Sequence, residues 1–271
     1  MTHTKTELGA LLNEHGLHPS RALGQNFVVD PNTVRRIARL AEVGPGDQVL
    51  EIGAGLGSLT LALVETGAHV IALEVDRYLI APLTSVLEAT SVRVVHADAL
   101  SVDYASILGD TATVVVANLP YNVATPLVVH LLESQPLVTR MLVMVQKEVG
   151  ERLAASAGEA AYGAVSLRVQ YFADAKVVGK VPPSVFLPKP NVDSVLVTLT
   201  RRAAVRVDPE VVSESELFSV IRLAFSQRRK MLRRSLAGWT SDGVFERAGV
   251  AETRRPEELT IEEFAALVAA K

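Results

Sequence analysis

Gln48-Val49-Leu50-Glu51-Ile52-Gly53-Ala54-Gly55-Leu56-Gly57 is the stretch whose reading decides the fold. Five residues of a strand candidate run directly into three glycines at alternate positions. Leu59, Leu61, Leu63 and Val64 then supply the apolar positions of a helix that stops at Gly67. A strand, a glycine turn and a helix N-terminus, in that order, let a ligand approach the backbone closely. His69–Val75 reads as the next strand and carries Glu74, 21 residues beyond Gly53. An acid at that distance can accept hydrogen bonds from both hydroxyls of a ribose. Taken alone, these features fit a nicotinamide dinucleotide fold about as well as an S-adenosylmethionine fold. A dinucleotide fingerprint, however, would place its third glycine three residues after Gly55, where the chain has Ser58.

Further along, Val92–Leu100 is a third strand candidate that contains Asp98. Thr113-Val114-Val115-Val116-Ala117 reads as a fully buried strand and delivers Asn118-Leu119-Pro120-Tyr121 at its carboxyl end. Open α/β sheets bind their ligands at that end. The tetrapeptide suits the exocyclic amine of a nucleobase, a poor nucleophile because its lone pair is delocalised into the ring. The Asn118 side-chain carbonyl and a neighbouring backbone carbonyl, at Leu119, can accept the two N–H bonds and favour a pyramidal nitrogen. Tyr121 can stack on the base. The sequence here resembles the adenine-N6 methyltransferases, whose hallmark is Asn/Asp-x-Pro-Tyr/Phe, and Gly53-x-Gly55-x-Gly57 has the spacing of methyltransferase loops. On the four residues alone, a β-turn in which Asn and Pro merely end a strand fits equally well.

Composition narrows the class. With 271 residues, 49% of them hydrophobic and 21% charged, the chain can bury one sizeable core and a small second domain. It has no cysteine, which excludes disulfides, thiolate metal sites and cysteine nucleophiles. No apolar run has the length of a membrane span, and the N-terminal residues lack the apolar core of a signal peptide, so a cytoplasmic location is expected. The net charge of −3 is unlike that of a nucleic-acid binder. Between Arg222 and Arg234, though, there are six basic residues (Arg222, Arg228, Arg229, Lys230, Arg233, Arg234) and no acidic one. Local fields, not totals, decide where a polyanion docks.

The rest of the chain supplies the frame. Thr4-x-x-Glu7 is a capping box for a first helix, and Asp30-Pro31 an N-cap and first residue for a second. Leu127–Leu132 forms a helix and Met141–Val145 a strand; Ser156–Gly163, rich in small residues, reads as a mobile loop. Val165–Phe172 looks helical, and Lys176–Val181 and Ser194–Thr200 look like strands at one sheet edge with Met141–Val145. The prolines between them forbid regular structure. Phe186 in that loop can pack into the core or cover a cleft. A boundary at Arg201 gives a catalytic domain, 1–201, and a helical domain, 202–271. In the latter a long helix runs from about Ser215 into the basic stretch, and a final helix is capped by Thr260-x-x-Glu263.

By this point the residues resemble the small-subunit (16S) rRNA adenine N6,N6-dimethyltransferases over nearly the whole chain. The likeness rests on Leu23–Phe27, Glu51–Gly57, Asn118–Pro126, Gln146–Val149, Phe186-x-Pro188-x-Pro190-x-Val192-Asp193-Ser194 and Ala224–Lys230. It implies an α/β, class I S-adenosylmethionine-dependent methyltransferase fold, Rossmann-like, with a seven-stranded mostly parallel sheet and a small C-terminal all-α domain. It also implies dimethylation of two adjacent adenosines in a hairpin loop near the 3′ end of 16S rRNA, within an immature 30S subunit. Cofactor positions carried over are Asn26, Val28, Gly53, Glu74, Asp98 and Asn118; Asn118, Leu119, Tyr121 and Phe186 carry the acceptor chemistry, with Tyr121 and Phe186 flanking the base. Arg222, Arg228, Arg229, Lys230 and Arg233 bind rRNA. A monomer without metal is expected. Two departures are Ala54 for the commoner Pro and His96-Ala97-Asp98 for the commoner Gly-Asp.

The methyl of a sulfonium is already activated, so positioning and amine polarisation should carry catalysis. Competing readings are an Erm-type 23S rRNA methyltransferase, a ribosome-assembly factor that acts mainly by binding, and a nicotinamide oxidoreductase. Asn122–Pro126 favours the small-subunit enzyme over the first, and the intact catalytic residues favour an enzyme over the second. Asn118–Tyr121 would have no role in the third.

Overall fold

The computed structural model describes residues 2–20 and 22–271. In chain order it contains α1 (Lys5–Glu14), β1 (Phe27–Val28), α2 (Pro31–Leu40), β2 (Gln48–Ile52), α3 (Ser58–Val64), β3 (His69–Glu74) and α4 (Arg77–Leu87). There follow β4 (Arg93–His96), α5 (Tyr104–Leu108), β5 (Thr113–Asn118), α6 (Ala124–Ser134), β6 (Val138–Gln146), α7 (Lys147–Ala154), α8 (Ala164–Phe172) and β7 (Ala173–Val181). The chain then forms β8 (Phe186–Leu187), β9 (Ser194–Arg201), α9 (Glu214–Ser226), α10 (Leu232–Ser235), α11 (Val244–Arg247) and α12 (Ile261–Ala269).

Seven strands make one sheet in the order β4-β3-β2-β5-β6-β9-β7. The pairs β2–β3, β2–β5, β3–β4 and β5–β6 are parallel, and β9 runs antiparallel to β6. The expected α/β fold with a mostly parallel seven-stranded sheet is therefore present. Register explains the site. Ile52 lies opposite both Leu73 and Ala117, so β2, β3 and β5 end level and Gly53, Glu74 and Asn118 emerge at one edge. Strand order reverses at β2, the switch point where such sheets leave a crevice.

Helices cover both faces of the sheet, which is why β5 is an unbroken apolar run rather than an alternating one. Val115 and Val116 are fully buried. Val34, Ile37 and Ala38 of α2 and Leu59, Ala62 and Leu63 of α3 pack on one side with Val49, Val70 and Val116; Leu83 and Leu87 of α4 pack with Ala72. The capping box of α1 forms, and Leu8 and Leu12 join Phe27, Val29, Leu56 and Leu79 in a separate cluster. This cluster fixes the N-terminal segment over the glycine turn. Among the described residues, no helix is long and apolar enough to cross a membrane.

Several expectations are corrected. The third strand stops at His96, short of Asp98. The proline-rich segment is not devoid of regular structure: Pro183–Val185 makes a 3-10 turn, and β8 pairs antiparallel with β1, Phe186 opposite Val28. Residues Ser156–Gly163 are tied down rather than mobile. The Glu159 carboxylate accepts the Ser156 N–H at 2.7 Å, and the fully buried Tyr162 donates its hydroxyl to the Leu259 carbonyl at 2.9 Å. Helix α9 ends at Ser226, before the cationic run, where Gln227 leaves helical geometry.

The chain divides into two compact units: residues up to Gly150 with Lys176–Thr200, and Glu151–Ala175 with Arg201–Lys271. The units thus interleave, unlike the single cut after residue 201. Within the second unit α8 packs against α9. Tyr171 and Phe218 meet edge-on at 5.4 Å, while Arg168 lies over the Phe218 ring and pairs with Glu214. That apolar and ionic seam carries Glu151–Ala175 into the C-terminal unit.

Candidate active site at the carboxyl edge of the sheet

Gly55 is the residue at which the turn most needs glycine. Its φ is +59°, and a Cβ there would sit 3.0 Å from the Phe27 ring. Its N–H donates to Glu74 Oε2 at 2.7 Å. Glu74 Oε1 accepts the N–H groups of Val75 and Asp76 at 3.0 and 2.9 Å. Only 4% of Glu74 is exposed. Burial pushes its carboxyl up, and the three backbone donors oppose that shift. Three of roughly four acceptor positions are thus filled, leaving one for a ribose hydroxyl. The acid that the sequence assigns to a ligand also ties the glycine turn to the end of β3.

Asn118 sits between the two halves of the crevice. Its Nδ2 donates to the main-chain carbonyl of Asn26 at 3.0 Å. A carbonyl can only accept, so the atom facing it must be the nitrogen, whichever way the amide is drawn. Asn118 Oδ1 is thereby left as an acceptor. Leu119 is buried with its N–H donated to the Met144 carbonyl, and Tyr121 is held by a 3.0 Å hydrogen bond between its hydroxyl and Ser194 Oγ. Gln25, Asn26, Val28, Leu119 and Tyr121 line the same pocket as Gly53, Glu74 and Asn118. Asp98 lines the adjoining hollow with Leu100, Val123 and Gly53, where its Oδ1 accepts the Leu100 N–H at 2.9 Å. It caps that turn with one oxygen and keeps the other.

Phe186 is not brought to the pocket. Its ring is 4% exposed and belongs to the core with Val28, Val34 and Leu196. The β1–β8 pairing holds it there, so in this structure it is a core residue, and the base-flanking assignment is corrected.

Glu51, Ser58 and Ser194 went unmarked in the sequence as site residues. Glu51 is 1% exposed, and its Oε2, like Ser58 Oγ, is buried without a hydrogen-bond partner. Both residues line the pocket. The signal was an acid at a buried strand position directly before a glycine turn. S-adenosylmethionine offers a ribose, an amine-bearing heterocycle and a zwitterionic tail. Orphaned polar atoms at Glu51 and Ser58, an open acceptor position on Glu74 and a second carboxylate oxygen on Asp98 fit such a molecule.

Burial pushes the Glu51 carboxyl up to about 8, opposed by the Thr60 hydroxyl and reinforced by Glu74. A carboxyl whose pKa is higher folded than unfolded binds its proton more tightly in the native state. Its contribution is therefore complete below about pH 4.5 and is lost as pH rises through about 8, at ~1.4 kcal/mol per unit within the window. Ligand-free protein should lose thermal stability between pH 6 and pH 9, and Glu51→Gln should flatten that fall. Parallel melting curves for the two proteins would refute the assignment.

In the second unit, Arg222 is exposed on α9, and Arg229 and Lys230 are exposed in the turn beyond it. Arg228 differs: it pairs with Glu257 and donates to the Ala160 carbonyl, both at 2.7 Å. Arg233 pairs with Glu252 at 3.2 Å with both side chains about half exposed, a bond worth ~0–1 kcal/mol that a phosphate can displace. Among the described residues, no group of three or more His, Cys, Asp or Glu could hold a metal ion.

Residues 18–271 match the family described as ribosomal RNA adenine dimethylase. A ribosomal RNA small subunit methyltransferase A of Streptomyces griseus subsp. griseus is 46% identical over 265 residues, covering 93% of this chain and 89% of that protein. A dimethyladenosine transferase from Plasmodium falciparum has a TM-score of 0.74 at 25% identity, over 88% of this chain and 94% of that one. The 23S rRNA methyltransferase ErmE reaches 0.72 at 25% identity, over 90% and 99%.

Proposed function

The chain belongs to the ribosomal RNA adenine dimethylase family, and on that premise we propose its substrate and the roles of its residues. It is an S-adenosylmethionine-dependent 16S rRNA adenine N6,N6-dimethyltransferase. Its targets are two adjacent adenosines in a hairpin loop near the 3′ end of 16S rRNA, reached in an immature 30S subunit. It works as a monomer in the cytoplasm. The observation that carries the chemistry is the Asn118 amide, fixed with Nδ2 on Asn26 and Oδ1 left to accept. The 46% likeness to a small-subunit enzyme, against 25% to ErmE, supports 16S over 23S rRNA.

The bound cofactor supplies an activated methyl on a sulfonium. Asn118 Oδ1 and the Leu119 carbonyl accept the two N–H groups of the target amine, which drives its nitrogen towards tetrahedral geometry and frees the lone pair. Tyr121, braced by Ser194, stacks on the base and fixes the distance of attack. As the nitrogen becomes positive, the two carbonyl dipoles already face it, so no reorganisation is needed. An adenine in a hairpin loop is partly unstacked, which lowers the cost of drawing it into the pocket. Glu74 and Asp98 hold the cofactor, with Asn26, Val28 and Gly53 shaping its cradle.

After one transfer the amine keeps a single N–H, so one acceptor loses its partner and the second transfer should be slower. Mass spectrometry of rRNA digests from undermethylated 30S subunits should show monomethyladenosine rising and then falling as dimethyladenosine accumulates at two adjacent positions. Monomethyladenosine as the end product with cofactor in excess would sink the dimethyl reading.

Arg222, Arg229 and Lys230 bind rRNA backbone, assisted by Arg233, while Arg228 divides its guanidinium between the fold and the RNA. Neutralising Arg229 and Lys230 together should lower the slope of log affinity against log salt by about one to two, through fewer released counterions. Cofactor affinity should not move. An unchanged slope would make this turn an ordinary solvated surface.

A further inference from the structure

Gln25 is half-buried in the N-terminal segment that crosses the crevice, and both ends of its side chain are engaged. Its Oε1 accepts the Ser20 N–H at 2.7 Å, and its Nε2 donates to Asp76 Oδ2 at 2.8 Å. Its own N–H donates to the Ser20 carbonyl at 3.0 Å. The amide orientation is chemically forced, since a backbone N–H needs the oxygen and a carboxylate needs the nitrogen. Asp76 in turn donates its N–H to Glu74 Oε1, and its other carboxylate oxygen caps α4 through the Tyr78 N–H at 3.0 Å. The next residue, Asn26, holds Asn118 through its carbonyl. Gly24, at φ +63°, lies against Pro120: a Cβ there would sit 3.2 Å from the Pro120 Cβ.

One short segment therefore touches both partners of the reaction. At Gln25 it is pinned to the carboxyl end of β3, where Glu74 awaits the cofactor. At Asn26 it orients the amide that polarises the acceptor amine. We propose that Gln25 is a positioning residue that locks this segment across the crevice, coupling the cofactor acid at β3 to the orientation of Asn118 at β5. The inference rests on the methyltransferase reading of this site, because it assigns Asn118 to the acceptor. A charge-assisted bond at this point is worth more than a neutral one, and its loss frees Asn26 to drift away from Asn118. A displacement of about 1 Å at a reacting centre lowers rate on the order of a hundredfold.

The polarity of the bond provides the test. Gln25→Glu sets two carboxylates against each other at hydrogen-bond distance and should lower both cofactor affinity and kcat, each by about tenfold or more. Asp76→Asn alone sets two amide nitrogens against each other, because the Gln25 oxygen is committed to Ser20. The double variant Gln25→Glu/Asp76→Asn reverses donor and acceptor. Its introduced amide would cap the Tyr78 N–H with the oxygen and donate the nitrogen to the introduced carboxylate, whose second oxygen still takes the Ser20 N–H. Activity on undermethylated 30S subunits and calorimetric affinity for S-adenosylhomocysteine should both return to within about threefold of wild type. Gln25→Ala, which introduces no repulsion, should lower kcat with little change in melting temperature.

A structural contact alone would move the melting temperature and leave kcat intact. Wild-type kcat and affinity in Gln25→Glu and Gln25→Ala would overturn the proposal. So would a folded double variant no better than the worse single one. Failure of the functional reading is separable, because it would show as wild-type protein that binds the cofactor analogue yet does not methylate small-subunit rRNA.

Discussion

Asn118→Ala is expected to lower kcat by about 100- to 1,000-fold, the range seen when one preorganised polar group is removed from a site of developing charge. Two effects combine. The amine loses the side-chain acceptor that pulls its nitrogen out of conjugation, and the Asn26 carbonyl loses the donor that holds it at 3.0 Å. Cofactor affinity should fall by much less, since the glycine turn and Glu74 remain. Asn118→Asp is the sharper variant. Many adenine-N6 enzymes carry Asp in this motif, but here the position faces a main-chain carbonyl. An ionised carboxylate has nothing to donate to it and would be repelled. In this chain Asn118→Asp should therefore be strongly impaired at neutral pH despite satisfying the general motif. Single-turnover rates at saturating RNA and cofactor decide the matter, and near-wild-type turnover by Asn118→Asp would show that the Asn26 bond does not orient the amide.

Much of this site could be read in the sequence because it is built from register. Apolar runs at Gln48–Ile52, His69–Glu74 and Thr113–Ala117 are strands of one parallel sheet, and parallel neighbours that end level must gather whatever follows them. Gly53, Glu74 and Asn118 could thus be assigned to one edge from spacing alone. What escaped was whatever depends on how distant segments lie on that edge. Nothing local says that the Asn26 carbonyl meets Asn118, 92 residues away, or that Tyr121 is braced by Ser194, 73 residues away. Phe186 shows the converse: its motif suggested a base flank, while pairing with Val28 turns its ring into the core. The cationic run misled in another way. Without acids in its own stretch it read as a free basic helix, but Glu257 and Glu252 come from elsewhere in the C-terminal unit to meet Arg228 and Arg233.

Glu74→Gln should be nearly as damaging as Glu74→Ala, with cofactor affinity lowered about 10- to 100-fold by either. If Glu74 served only as a ribose acceptor, the isosteric amide would keep a carbonyl for the hydroxyl and the loss would be mild. The hydrogen bonds say otherwise. Oε2 takes the Gly55 N–H, and Oε1 takes those of Val75 and Asp76. Gln has one oxygen for these two places. Its better orientation keeps the oxygen on Val75 and Asp76 and presses its NH2 group against the Gly55 N–H; the reverse orientation sets two donors against it. One buried N–H left unsatisfied costs about 1–3 kcal/mol, which falls on the glycine turn that a ligand must approach. Alanine leaves three donors without the carboxylate, but it removes the clash and opens space that a water can enter, so the two variants converge. Calorimetry with S-adenosylhomocysteine should find the two affinities within a few-fold of each other and far below wild type, with RNA affinity little changed. If Glu74→Gln bound the analogue within about threefold of wild type, the turn would be held by other contacts and Glu74 would be an acceptor for the ligand alone.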